Sequence, residues 1–274
     1  MDPTTSVRGR DVPRLGFGTW RLSGRTCRDG VADALALGYR HLDTAAMYDN
    51  EEEVGSALRA SGVDRDEVWL TTKVWHTDLA PARLRASAEA SLRRLGVDRV
   101  DLLLIHWPGP PGTTEPALDE LVALREEGRI AELGVSNFPA GMLRDALDRA
   151  PVFCDQVEFH AHLSQRRVLE IAAERDLLVA AYRPLGGGRG VLDDRLLADI
   201  AEAHGRTPAQ VALRWLVEQD RVCAIPRSSS RERRAQNLDV FSFALTGEER
   251  TALDALAEGE RRYVDVPWAP DWRD

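Results

Sequence analysis

Residues 100–106 read VDLLLIH, four consecutive branched aliphatic side chains between an aspartate–valine pair and a histidine. A strand with one wet face alternates apolar and polar residues. A run without alternation belongs to a strand covered on both faces, the condition of a parallel sheet flanked by helices. Outward from this run lie seven more short strand-like segments: RLGFGTW (14–20), YRHLD (39–43), VWLTTK (68–73), IAELGVS (130–136), FCDQVEF (153–159), LLVAAY (177–182) and VCAIP (222–226). Helical patterns separate them, over Arg28 to Leu37, Glu51 to Ala60, Pro81 to Leu95, Glu115 to Glu127, Pro139 to Arg149, Arg166 to Arg175, Leu192 to His204 and Pro208 to Gln219, with another after Ser230. Asn137-Phe138-Pro139 and Thr207-Pro208 carry the signature of a capping side chain and a first-turn proline, and Gly38, Gly62, Gly96 and Gly128 mark helix ends.

Eight strand–helix alternations predict parallel strands with right-handed crossovers. A (β/α)8 TIM barrel of roughly 250 residues is the single-domain solution that suits a chain of 274. The domain is expected to span 1–274, with residues 1–14 as a hairpin closing the barrel bottom and 259–274 as a tail near the pocket. An open dinucleotide-binding sheet fits less well, because Gly16-Phe17-Gly18-Thr19-Trp20 opens no helix at the spacing of a GxGxxG turn.

The net charge of −9 and pI near 5.3 argue against nucleic acid as a partner, since phosphate neutralisation needs a basic face. No window approaches 18 uninterrupted apolar residues and the first residues carry no apolar leader, so neither a membrane span nor secretion is expected. The cytoplasm is the expected compartment and a monomer the expected state. Cys27, Cys154 and Cys223 lack ligand spacing, and no metal is expected. The cations are almost all arginine. There is a single lysine, Lys73, and an ammonium is a compact charge whose pKa a protein can tune.

On the predicted frame the unusual polar residues fall at the C-terminal ends of strands, the face on which barrels build active sites. Asp43 ends the second strand and Tyr48 follows it. Lys73 ends the third, His106 the fourth, Ser136 and Asn137 the fifth. Gln156 lies in the sixth, Tyr182 ends the seventh, and Arg227 and Ser228 follow the eighth. Asp, Tyr, Lys and His form a proton-transfer set. An ammonium beside a phenol lowers the phenol's pKa, and a carboxylate holds the ammonium in place. A histidine orients a carbonyl oxygen. Taken singly, each residue has a plainer reading: a structural ion pair for Asp43 and Lys73, a core histidine, a rim tyrosine.

The segment GYRHLDTAAMYDNEEEVG (38–55), with WLTTKVW (69–75) and LLIHWP (103–108), resembles the aldo-keto reductase family, and the similarity runs from GFGTW to the turn after Ile225-Pro226. The HWP and YRPLG segments and the length resemble bacterial members of the 2,5-diketo-D-gluconate reductase type. The resemblance implies hydride transfer from NADPH to a small-molecule carbonyl, such as a dicarbonyl or keto-sugar. Tyr48 would be the general acid, Lys73 and Asp43 its tuning pair and His106 the substrate orienter. Trp20, Trp75 and Trp107 would line the pocket with His106.

For the cofactor, the resemblance implies that Ser136, Asn137 and Gln156 clamp the nicotinamide amide and that Tyr182 stacks on the ring. Arg183 and Leu185 would lie along the pyrophosphate. Arg227, Ser228 and Arg233 would grip the 2′-phosphate, with Gln236 and Asn237 at the adenine. The chain departs from the family pattern with Arg227 for lysine, Arg183 for serine, Asp155 for asparagine, Ala161 for proline and Gln236 for glutamate. The GGGRG segment (186–190) reads as a short loop with two open readings, one that folds over the pyrophosphate and a plain flexible connector. Two other readings use the same residues. One is a Schiff-base lyase with Lys73 as nucleophile, as in barrel aldolases. The other is a non-catalytic NADPH-binding subunit.

Overall fold

A computed structural model of the chain describes residues 1–272. The double burial that the apolar runs require is met by a sheet of eight parallel strands: β3 (Phe17–Gly18), β4 (His41–Asp43), β5 (Trp69–Val74), β6 (Val100–Ile105), β7 (Ile130–Ser136), β8 (Cys154–Glu158), β9 (Leu178–Tyr182) and β10 (Val222–Ile225). Each pairs with its neighbours in chain order, and a parallel bridge from Leu15 to Ala224 joins the first edge to the last. The chain therefore folds as a single-domain (β/α)8 barrel. The first barrel strand is much shorter than RLGFGTW suggests; Gly16 and Gly18 hand their amides to the carbonyls of Ala224 and Pro226 and complete the circle.

Helices α1 (Gly24–Leu37), α2 (Glu51–Ala60), α3 (Pro81–Leu95), α4 (Thr114–Glu126), α5 (Ala140–Arg149), α6 (Arg166–Arg175), α7 (Arg195–His204) and α8 (Pro208–Glu218) surround the strands, followed by α9 (Arg231–Leu238) and α10 (Gly247–Ala257). Helix α1 begins four residues before the expected Arg28, and α10, absent from the expected helices, is started by a Thr246–Glu249 capping box. Thr207 and Gln210 form the same box at α8, with Pro208 in its first turn. Gly38 and Gly96 end α1 and α3 in the left-handed conformation, at φ 107° and 67°.

One expected cap is not a cap. Pro139, not Asn137, occupies the N-cap of α5 and makes no side-chain cap bond. Asn137 instead sits at φ 65° with its side chain buried among site residues.

Residues 4–13 form an antiparallel hairpin, β1 (Thr4–Val7) with β2 (Arg10–Pro13). Val7 and Val12 are fully buried in a cluster with the barrel-interior side chains Trp69, Leu102, Leu104, Phe153 and Leu178. A second, larger apolar cluster lies between strands and helices. With one end of the barrel filled by aliphatic and aromatic side chains, the polar strand-end residues collect at the other.

Candidate active site

Asp43, the last residue of β4, and Lys73, near the end of β5, lie on adjacent parallel strands. The Lys73 ammonium donates to Asp43 Oδ1 at 2.5 Å and to the Thr44 carbonyl at 2.8 Å, and its side chain has no exposed surface. Burial pulls the ammonium's pKa down, and the Asp43 carboxylate opposes that fall. The other oxygen of Asp43 accepts from Gln156 Nε2 at 2.8 Å. Asp43 thus joins a residue expected in proton transfer to one expected at the cofactor.

Tyr48 lies in a short 3-10 turn over Ala46–Tyr48, directly above this pair, with Lys73 Nζ 5.1 Å from the centre of its ring. Burial raises the phenol's pKa well above its ordinary value, and the Asp43 carboxylate adds to the rise. The sequence reading expects the opposite direction from the lysine. The ammonium's charge is already matched by Asp43 at contact distance, so the cost of ionising a half-buried phenol prevails. The group is therefore held protonated.

His106, immediately after β6, packs edge-on to Tyr48 at 5.6 Å and to Trp75 at 5.0 Å. Burial, with the charges of Lys73 and His76 adding to it, holds its pKa well below the ordinary imidazole value, so the ring is neutral. Its Nδ1 is buried without a protein hydrogen-bond partner. Trp20 leans on Tyr48 at 4.8 Å. The C-terminal tail completes the mouth: Trp268 meets Trp75 at 5.6 Å and stacks on His76 at 5.3 Å, and Trp272 meets Trp107 at 6.2 Å. Residues 273 and 274 of the expected tail lie outside the described residues. His76 is absent from the residues that sequence reasoning selects; its only signal is its place next to Trp75.

The expected cofactor residues also converge. Ser136 Oγ donates to the Gln156 carbonyl, and Asn137 Nδ2 donates to Ser136 Oγ and to the His106 carbonyl. Tyr182 donates its hydroxyl to Asn137 Oδ1 at 2.6 Å, which fixes the plane of its half-buried ring. Arg183 takes φ 49° and packs against Gly187, and Leu185 rests partly buried on the core. The GGGRG segment forms a short 3-10 turn at 186–188 and is tied down by Arg189, which donates to the Tyr263 carbonyl.

Farther along the same face, Ser230 caps α9 through the Arg233 amide, and Ser228 hydrogen-bonds with Ser230. Arg231 and Arg234 both turn onto Asp33, so they are structural cations. Arg227 and Arg233 are exposed and have no acidic partner among the described residues. Gln236 reaches Glu232, and Asn237 is buried. A neutral phenol, a neutral imidazole with an orphaned nitrogen, a flat tyrosine ring and two unpaired guanidiniums at a helix start suit a phosphorylated nicotinamide and a carbonyl. They do not suit a Schiff-base lysine: Lys73 is sealed from solvent and committed to Asp43 and Thr44. No group of three or more His, Cys, Asp or Glu side chains placed to hold a metal occurs among the described residues.

The model of the aldo/keto reductase family matches residues 14–258. The chain belongs to that family. An aldo-keto reductase of Mycolicibacterium smegmatis is 44% identical over 265 residues, covering 94% of this chain and 92% of that one. A 9,11-endoperoxide prostaglandin H2 reductase of Trypanosoma cruzi is 39% identical and covers 91% of the chain and 89% of its own length. Among solved structures, one provisionally described as 2,5-diketo-D-gluconic acid reductase B superposes with a TM-score of 0.96 at 40% identity, covering 100% of this chain and 98% of that one. The aldose reductase of Schistosoma japonicum gives 0.91 at 30% identity over the full length of both. This aldo-keto reductase is thus an oxidoreductase on a TIM barrel, and no helix among its described residues is long and apolar enough to cross a membrane.

Proposed function

We propose that this aldo-keto reductase reduces an aldehyde or ketone to the alcohol with NADPH, and that Tyr48 is the proton donor. The observation that carries the reading is the buried Lys73–Asp43 pair lying beneath the Tyr48 ring, with neutral His106 at its edge. When bound, the reduced nicotinamide supplies the hydrogen and two electrons taken up by the carbonyl carbon. His106 hydrogen-bonds the carbonyl oxygen and fixes it against the Tyr48 hydroxyl. Tyr48 gives its proton to that oxygen as negative charge builds there, and the nearby ammonium stabilises the phenolate left behind. Asp43 keeps the ammonium in position. Tyr182, Asn137, Ser136 and Gln156 orient the nicotinamide, Arg183 and Leu185 lie along the diphosphate, and Arg227, Ser228 and Arg233 hold the 2′-phosphate, with Gln236 and Asn237 beside the adenine.

The reading takes the substrate as a small dicarbonyl or keto-sugar of the 2,5-diketo-D-gluconate kind. Two features support it: the likeness to the reductase described under that name, and a mouth walled by Trp20, Trp75, Trp107 and the tail tryptophans. It takes the enzyme as a cytoplasmic monomer; the large apolar side chains exposed among the described residues, Met1, Met47, Leu192 and Trp268, are scattered. The test is NADPH consumption with 2,5-diketo-D-gluconate, small dicarbonyls and aromatic aldehydes, for the native chain and for Tyr48→Phe. Loss of the proton donor should cost roughly 10²- to 10⁴-fold in kcat while the cofactor still quenches tryptophan fluorescence. Wild-type turnover in that variant would overturn the mechanism.

A further inference from the structure

Tyr263 is the meeting point of three segments that are distant in sequence. Its amide donates to Glu158 Oε1 at 2.9 Å, and the Val264 amide donates to the other oxygen of the same carboxylate at 3.0 Å. Glu158 ends β8, two residues beyond Gln156, and is wholly buried. The Tyr263 ring stacks on His160 at 4.9 Å. Its hydroxyl lies 2.8 Å from His162 Nδ1, and His162 Nε2 lies 3.0 Å from Asp194 Oδ2. Asp194 in turn caps α7 through the Leu196 amide. Arg189 closes the ring of contacts by donating to the Tyr263 carbonyl at 3.1 Å.

The segment between β9 and α7 contains Arg183, Leu185 and the glycine turn. The tail beyond Tyr263 contains Trp268 and Trp272, which pack on Trp75, His76 and Trp107 at the mouth. A hydroxyl–imidazole–carboxylate chain joins the two, and its members act through the segments they hold. We infer that Tyr263 and His162 are positioning residues that lock the tail carrying the substrate wall to the segment that follows β9, so that ordering one orders the other. This rests on the reductase reading, in which NADPH lies along residues 183–190. A bound diphosphate that steadies the glycine turn then also steadies Trp268 and Trp272, and the carbonyl meets a finished pocket only beside a bound cofactor.

The test is limited trypsin digestion at Arg261, which is exposed just before the latch, with NADPH affinity measured separately by quenching of tryptophan fluorescence. In the native chain saturating NADPH should slow cleavage at Arg261 about tenfold, the worth of one coupled hydrogen-bonded contact. In Tyr263→Phe that protection should fall to about twofold or less, with the dissociation constant for NADPH raised severalfold. Asp194→Asn keeps the helix cap but removes the carboxylate from His162 and should lose protection similarly; it serves as the test if Tyr263→Phe does not fold. Native protein that binds NADPH yet is cut equally fast with and without it would overturn the latch, as would full protection in both variants. Native protein that shows no saturable binding of NADPH would overturn the reductase reading itself.

Discussion

Lys73 and Asp43 meet at 2.5 Å in a compartment where the lysine side chain is fully shielded from solvent and the aspartate nearly so. Two charges so placed have paid a desolvation cost that only their mutual contact and further hydrogen bonds offset. Each partner is therefore needed for the fold as well as for the charge beneath Tyr48.

Removing one partner alone should be worse than removing both. Asp43→Asn leaves a buried ammonium without its counter-charge and is expected to cost about 3–5 kcal/mol of stability. Lys73→Met with Asp43→Asn should recover much of that loss while remaining inactive. Thermal unfolding of Asp43→Asn, Lys73→Met and the double variant, beside NADPH turnover, measures both. Additive destabilisation in the double variant would contradict the pairing.

The pH profile follows from the two shifted groups. Tyr48 is raised by burial and by Asp43, so it stays protonated, and competent to donate, from acid conditions past its ordinary pKa near 10. His106 is lowered by burial and by the charges of Lys73 and His76, so it stays neutral down to well below pH 6.5. Reduction should then show kcat/KM level between about pH 6.5 and 9 and declining only in the alkaline range. A titrating limb centred between pH 6 and 7 would contradict the assignment of a neutral imidazole.

Asp155 stands in β8 where the family pattern has asparagine. It is wholly buried, and neither carboxylate oxygen has a hydrogen-bond partner. Burial raises its pKa well above the carboxylate range; the Phe138 amide, short of hydrogen-bond geometry, offsets part of the rise. With the folded pKa above the unfolded one, its contribution is fully present below about pH 4 and is lost as pH rises toward the folded value. Asp155→Asn removes this dependence. It should raise Tm by several degrees at pH 8 and little at pH 4, as read by calorimetry. Equal shifts at the two pH values would contradict a protonated Asp155.

Arg227 and Arg233, unlike Arg231 and Arg234, are not drawn onto Asp33. Arg233→Ala and Arg227→Ala should each weaken NADPH by roughly tenfold, the worth of a charge-assisted contact, and leave NADH affinity nearly unchanged. Cofactor titrations of both nucleotides decide it. Equal weakening of the two would place these arginines on a group other than the 2′-phosphate.

The barrel is legible because parallel strands buried on both faces write themselves as short apolar runs, as in VDLLLIH and LLVAAY, and because eight of them alternate with helical patterns. The candidate site is legible because Asp43, Lys73, His106 and Tyr182 each sit where such a run stops. Asn137 reads as a helix cap in the sequence, since a capping Asn before a proline and a buried Asn held at positive φ share one local signature. The direction of the Tyr48 shift depends on how deeply the phenol is covered, which no motif states. The Tyr263–His162–Asp194 chain joins residues 101 and 32 positions apart, beyond any local pattern. Separation in sequence likewise hides His76, whose stacking on Trp268 appears only when the tail is folded back.

Because the one lysine is enclosed in the barrel, this protein presents no side-chain primary amine to its surroundings. Acylating reagents, aldehyde cross-linkers and acetyl-transfer enzymes therefore find only the amino terminus while the fold is intact. Reaction at a second amine reports the opening of the barrel itself, so the extent of labelling serves as a built-in gauge of global unfolding.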